Sequence, residues 1–435
     1  MKIAIIGAGF SGLAAAWELA KGGQHQVEII EPQNRAGGLA IGFKQDGWDW
    51  SVEEHYHHAF DTDLALKQFV TQLGQSKDLL YKRTKSSTLY KGKIYQVDSA
   101  LSLLQFKELS LWSRLRTGAV LAFLKLWPRG KTLENWTASQ FLQATMGQQA
   151  WRVLWEPLFR AKFGEYAHQV NLAWFWGRIY PRTARLGYFR GGWQRLADLA
   201  VDKLKEQGVR FLFATRVEKI IKQSDKFVLT IQDSVRGKTN RQYDLVISTL
   251  PSPLFAKLID LPELKQQELV GLGAMTLLLR LKQPLLTDGT YWLNVNEKKW
   301  PFLAIVEHDN YMSNEHYNSE HLVYVGRYLS AKHPDFAKSA EQLLADYTPY
   351  LEKLSPEFQS QLIAVHLAKA PFAQPVSFIG QSRHVPSFRT SLEGLYWVSM
   401  QHIYPFDRGV NYAIATATQL AKHVKIKVSR KQDKS

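Results

Sequence analysis

The chain has 435 residues, enough for two domains or for one domain with large insertions. Hydrophobic residues make up 45% and charged residues 22%, a balance that supports a packed core and excludes a disordered chain. Cysteine is absent, which excludes disulfides, thiolate catalysis and iron–sulfur clusters, whereas a net charge of +16 asks for an anionic partner.

The first predicted element is a short apolar strand over residues 3–6, with no position left for solvent. Gly7, Gly9 and Gly12 follow in G-x-G-x-x-G spacing and open a helix over residues 13–20. In such a motif Gly7 permits the tight turn, Gly9 lets backbone approach a pyrophosphate, and Gly12 lets helix pack on strand. The helix N-terminus then offers free N–H groups to the phosphates. A second apolar strand, residues 27–30, ends in Glu31, where an acid accepts hydrogen bonds from a ribose. A secretory signal would need an unbroken apolar core, which the glycines and Glu18 interrupt. The stretch predicts dinucleotide binding, and Glu31 disfavours a 2′-phosphate, leaving NAD or FAD.

Arg35, Gly37 and Gly38 extend the pattern to E-x3-R-x-G-G. This resembles the flavin amine oxidase superfamily, which includes protoporphyrinogen oxidases and phytoene desaturases. The resemblance implies an α/β protein: a Rossmann-like FAD/NAD(P)-binding domain of the glutathione-reductase type with an inserted α+β substrate domain. It implies FAD as cofactor, with Glu31 at the adenosine ribose and Arg35, Gly37 and Gly38 along the diphosphate. With no cysteine to tether a flavin, the FAD is expected to be non-covalent.

Residues 43–49 read as a strand and turn leading into His55, Tyr56, His57 and His58. In the superfamily this position reaches the edge of the flavin, and neutral histidines there can donate, accept or shuttle protons. These four are the candidate catalytic residues. If the segment is extended, His55 and His57 share one face while Tyr56 and His58 share the other. No further ligand cluster accompanies them, so no metal is expected. A histidine-rich segment here also resembles the UDP-galactopyranose mutases.

A helix over 64–73 ends at Gly74, and strands around 89–95 turn at Lys91-Gly92-Lys93. From 101 to 176 the pattern is helical, like the substrate-domain insertion of the superfamily, with Pro157 expected to interrupt one helix. Within residues 106–127, Leu109, Trp112, Leu115, Ala119, Phe123 and Leu126 recur at helical spacing among Lys107, Arg114, Arg116 and Lys125. The favoured reading is a core-facing helix; the other is a helix lying on an anionic membrane surface. Aromatics and arginines crowd residues 174–190, where some aromatics would wall a flat apolar ligand.

Gly191-Gly192 opens a helix to Glu206, stopped at Gly208, and marks return to the cofactor domain. Strands follow at 209–213 and 215–217, and the resemblance implies a backbone contact from Val217 to adenine. Residues 227–232 alternate as a strand, with a polar hairpin tip over 234–240, and 243–251 resemble the strand that re-enters the sheet. Strands are expected at 275–281 and 322–328, with Arg280, Arg327 and His366 as ligand-facing candidates. The lysine that amine oxidases place near the flavin finds no match in residues 275–282, which argues against amine substrates. Residues 394–415 have the family's closing plan of strand, loop and helix, but Ser399-Met400-Gln401-His402 replaces its usual Gly-Asp or Gly-Glu. Arg408, Gly409 and Asn411 are the cofactor candidates there.

The expected organisation is a discontinuous FAD domain (1–60, 190–250 and 390–425), a substrate domain (61–189 and 251–389) and a basic tail (426–435). The expected function is removal of hydride from a C–H or C–N bond of an apolar or polycyclic small-molecule substrate, with reoxidation by oxygen or quinone. Two alternatives stand beside it, a sugar-nucleotide mutase and a non-catalytic flavin-binding protein. No groove-reading motif or zinc spacing points to nucleic acid. The expected location is cytoplasmic, with an anionic membrane surface as an optional partner.

Overall fold

The structure, a computed structural model, describes residues 1–266 and 269–432. Its organising element is a five-stranded parallel sheet with spatial order Arg210–Leu212, Gln26–Ile30, Lys2–Ile6, Leu245–Ser248, Leu395–Trp397. Its strands read as unbroken apolar runs because both faces are covered. Ile3, Ile5, Val27 and Ile29 point into a core shared with the Phe10–Ala20, Trp193–Glu206 and Val410–Gln432 helices. Ala4, Ile6, Ile30 and Val246 point the other way, onto the antiparallel sheet of Thr215–Gln223, Lys226–Asp233 and Gly237–Tyr243. This is the Rossmann-like arrangement expected, built from segments far apart in sequence.

The antiparallel sheet differs in detail from its expectation. The hairpin tip is only residues 234–236, because 237–240 are paired as the start of the third strand. Lys238 to Asn240 are polar because they lie at an exposed edge.

A seven-stranded mixed sheet forms the second layer, in the order Leu362–Pro375, Gly271–Leu281, His321–Leu329, Ala304–Glu307, Thr290–Val295, Lys85–Tyr90, Lys93–Gln96. Both central strands expected here are present. Lys91 and Gly92, at φ 51° and 72°, make the hairpin turn between the last two. The helical block has its own core, centred on Trp151, Phe159, Phe163 and Trp174. Thr137 caps Ala138–Met146 through the Gln140 N–H, and Pro157 sits in the first turn of Glu156–Phe163, just past a π-helical stretch at Trp151–Trp155.

Two sequence expectations fail in the elements themselves. The Leu111–Leu126 helix buries Ser113, Thr117 and Leu124, while Trp112, Leu115, Ala119, Phe123 and Leu126 face solvent; of the expected stripe only Leu109, just outside the helix, is buried. Periodicity had identified residues sharing a face, and that face points outward. The basic C-terminal stretch is not a separate tail up to residue 432. It continues the Val410–Gln432 helix, held by buried Leu420, Ala421 and Val424; residues 433–435 lie outside the described residues. No helix among the described residues is long and apolar enough to cross a membrane.

Candidate active site

Two cavities meet at the carboxyl end of the parallel sheet, where ligands of doubly wound folds bind. The outer one, about 880 Å³, runs from the glycine motif to the start of the Val410–Gln432 helix. The inner one, about 180 Å³, lies beneath the seven-stranded sheet and the helical block. His55, His57, Leu39, Arg408, Gly409 and Val410 line both, so they form the partition.

The outer cavity has the features a dinucleotide needs. Gly7 has φ 104°, and a Cβ there would lie 2.4 Å from Thr249 Oγ1. A Cβ on Gly12 would come within 2.0 Å of the Gly7 carbonyl oxygen, so helix and strand can approach only as they do without one. Gly9 pairs with Gly37 in a parallel bridge that closes the cradle. The Phe10–Ala20 helix has no side-chain cap and no acid in its first turn, which leaves its leading N–H groups for an anion. Glu31 accepts hydrogen bonds from the N–H groups of Ala8 (2.8 Å) and Gln33 (3.0 Å), which hold its carboxylate at the cavity wall. Arg35 lines the cavity and its buried Nε has no protein partner, a donor left for a phosphate oxygen. The cradle that glycines keep open and this orphaned donor fit the diphosphate of FAD.

Val217 lies elsewhere. Its side chain is buried between the two sheets with Ile220 and Leu229, and it does not line the cavity. Asn411 lines the inner chamber rather than the outer cavity, and its Oδ1 accepts the Leu66 N–H (3.1 Å). It anchors the Leu64–Gln72 helix and so is not among the residues lining the cradle.

The histidine segment divides as an extended chain dictates. Tyr56 and His58 reach only the inner chamber, whereas His55 and His57 reach both cavities. The His57 Nδ1–H donates to the His55 carbonyl (2.6 Å), which leaves Nε2 as the ring's lone pair. Burial pulls His57 down to about 4, with Arg408 adding to it and the His55 hydrogen bond opposing, so it is neutral near pH 7. His55, paired with Thr276 Oγ1 at 2.8 Å, is pulled down to about 3 by burial, then by His57 and Arg408. His58 falls to about 3 through burial and Arg182, and its buried Nδ1 has no protein partner. Tyr56 packs edge-on against Trp292 and lies over Gly326, where a Cβ would come within 2.8 Å of its ring.

Residues that sequence reasoning did not single out complete the inner chamber. Asp407 accepts from Arg178 (2.8 Å) and Lys162 (3.3 Å), and also from Trp174 Nε1–H and the Gln374 amide (3.3 Å each). Burial alone would raise the Asp407 carboxyl, but Lys162, Arg178 and Arg408 hold it well below the usual range. Arg408 donates to Gln374 and Tyr328. The crowding of arginines after residue 174 was the available signal, but it did not indicate which of them turn inward. Of the three ligand-facing candidates on strands, only Arg327 lines the chamber, and Asp335 engages it at 2.5 Å. Arg280 is taken by Glu320, and His366 packs on Phe43.

Glu307, Asp309 and His321 converge away from both cavities, their ligand atoms within 4.8 Å of one another. His321 Nδ1 meets Asp309 at 2.5 Å, and burial, then Asp309, pushes the Glu307 carboxyl well above the usual carboxylate range, so the trio is a hydrogen-bond network in its own right.

With this geometry in hand, relatives are informative. Residues 10–425 match the family of flavin containing amine oxidoreductases. A 4,4'-diapophytoene desaturase of Staphylococcus aureus (strain COL) is 48% identical over 52 residues, 12% of this chain and 10% of that enzyme's length. Putrescine oxidase bound to putrescine shares the fold at TM-score 0.73 and 16% identity, over 98% of this chain and 99% of its own. Reduced UDP-galactopyranose mutase does so at TM-score 0.72 and 15% identity, over 97% and 95%. The chain belongs to the flavin-containing amine oxidoreductases, FAD-dependent enzymes of α/β fold.

Proposed function

We propose that this enzyme oxidises a C–H bond of a small molecule held in the inner chamber. The observation that carries the reading is the shared wall: a substrate in the inner chamber meets the outer cavity across His55, His57 and Arg408. When bound, FAD supplies a two-electron acceptor for hydride. The chain contributes the rest. Leu39, Leu158, Leu186 and Trp292 give the substrate's apolar body a dry seat, and His57 Nε2 is a fixed, neutral acceptor for the proton that accompanies hydride loss. Arg35, Glu31 and the two helix N-termini orient the dinucleotide. Amine substrates are disfavoured, because Lys162, Arg178, Arg182 and Arg408 would repel an ammonium group.

The test is anaerobic reduction of the flavoprotein, followed by timing of reoxidation with air and with a soluble quinone. Reoxidation within seconds by either acceptor is expected. A flavin that stays reduced with both would turn the reading toward a mutase, which the chamber's cations also suit.

We further propose that the enzyme works against an anionic membrane surface. Eight of the fifteen exposed large apolar residues among those described fall between Leu101 and Trp136, with Trp112 68% and Leu126 80% exposed. Lys107, Arg114, Arg116 and Lys125 lie among them, complementary to acidic lipid. Lys125 Nζ donates to the carbonyls of Tyr180 (2.7 Å) and Arg182 (2.5 Å), which ties this surface to the chamber wall. Co-flotation with phosphatidylglycerol vesicles should be abolished by the double substitution Trp112→Glu, Leu126→Glu. Equal flotation of the variant would rule this surface out.

A further inference from the structure

Basic side chains outnumber carboxylates around the inner chamber. Lys162, Arg178, Arg182 and Arg408 line it, and a fifth cation, Arg327, already has Asp335. Two carboxylates line the chamber with these four, and a third, Asp98, acts on Arg182 from outside the lining. Asp407 is shared by Lys162 and Arg178, and Asp63 is occupied by the Phe60 N–H (2.8 Å). Burial pushes Asp63 up to about 6. Unpaired buried charge is among the more costly features a fold can carry.

The donors are also left open in the right sense. Arg178 places one N–H on Asp407 and stacks its plane on Trp174, with no protein partner for its remaining donors. Arg182 is an exposed residue at the edge of the chamber, where its guanidinium donates to Ser86 Oγ at 3.3 Å. Burial and Arg178 pull Arg182 down to about 10, which leaves it charged at neutral pH. Lys162 is 3.3 Å from Asp407, a looser contact than that of Arg178, and burial pulls its ammonium well below the usual range despite that carboxylate.

The arrangement is also built into the backbone. Gly177 lets the loop before Asp407 lie against the Leu172–Ile179 helix, where a Cβ would come within 2.3 Å of the Pro405 carbonyl oxygen. That contact is what delivers Asp407 to Arg178.

We propose that the inner chamber is a receptor for an oxyanion, the carboxylate or phosphate of an acidic substrate, held by the guanidinium groups of Arg178, Arg182 and Arg408. The proposal rests on the reading of this chamber as the substrate site, and it names the substrate class. The acid end sits on the cations while the apolar body lies along Leu39, Leu158 and Trp292 toward the shared wall. Bidentate guanidinium contacts would fix which carbon of the substrate faces the outer cavity.

The experiment uses the FAD-loaded protein at constant ionic strength. Inorganic pyrophosphate and benzoate are titrated separately, with putrescine as a cationic control, while the flavin absorbance and the melting temperature are followed. At least one anion should perturb the flavin bands and raise Tm saturably, and putrescine should do neither. Whichever anion acts tells a phosphate ester from a carboxylate. Arg182→Gln should weaken the response roughly 10-fold or more, and Arg182→Lys should recover part of it. No saturable response to either anion, or equal affinity in Arg182→Gln, overturns the proposal. A protein that takes up no flavin would instead defeat the proposed function, and the Tm titration would still report on the chamber.

Discussion

Arg35 shows how one side chain can be both legible and incompletely explained by the fold. Its buried Nε has no partner, although a native protein rarely leaves such a donor unmet. A diphosphate oxygen in the outer cavity is the partner we propose for it. Arg35→Ala should therefore raise the dissociation constant for FAD roughly 10- to 100-fold, the worth of one hydrogen bond to a charged group. The melting temperature of the flavin-free protein should stay nearly unchanged. Fluorescence titration with FAD checks the first and calorimetry the second; a large loss of apoprotein stability would mean that Arg35 serves the fold instead. That Gly7, Gly9, Glu31 and Arg35 would line one cavity was legible in sequence, because they fall within one short strand–turn–helix–strand stretch. Lys162, Arg178 and Asp407 were not, since they come from three distant segments and meet only through the packing of Gly177 on Pro405. Asn411 lies in the inner chamber and not the outer cavity for a related reason. It lies beside Arg408 and Gly409 in sequence, but the helix turns its amide toward Leu66.

At the level of elements, the Leu111–Leu126 helix separates what periodicity can and cannot say. Its apolar stripe is real, yet Ser113, Thr117 and Leu124 face inward. Hydropathy ranks residues by preference for burial, but the elements packed against a helix decide which of its faces is covered. Leu124→Ala should thus cost about 2–5 kcal/mol of stability, as a fully buried leucine does, whereas Leu126→Ala should change it by about 0.5 kcal/mol or less. Denaturant unfolding of the two variants decides the matter, and equal losses would contradict the observed orientation. Other elements were readable to within a residue or two because their ends carry backbone signals. Gly74 and Gly208, at φ 76° and 82°, stop helices, and Gly191-Gly192 precedes another. The C-terminal helix lacked such a stop, and its basic composition hid the buried Leu420 and Val424.

Across the whole molecule, burial sets the pH response. His308 and His402 are buried away from the partition and pulled down by burial to about 3 and about 4, as are His55 and His57 within it and His58 in the inner chamber. In the unfolded chain each returns to about 6.5, so below that pH the unfolded state binds more protons. Their stabilisation is full above pH 6.5 and is lost as pH falls toward 4. Glu53 works in the opposite sense. Buried against Tyr188 and the Trp193 N–H, it is pushed up to about 7, so its contribution is full below about 4.5 and is lost as pH rises through 7. Asp63 and Glu307, also raised by burial, act in the same sense as Glu53; the five histidines outweigh these three acids, and Tm should climb between pH 4.5 and 6.5. Glu53→Gln should make the climb steeper. A Tm that is flat or falling over that window would show that these groups are not buried as described.

The chemistry proposed for the inner chamber requires FAD held non-covalently in the outer cavity. The visible spectrum of the purified protein, before and after acid precipitation, tests this most directly. The account predicts flavin bands in the native protein and one equivalent of free FAD in the supernatant. A colourless protein that takes up no added FAD would contradict it.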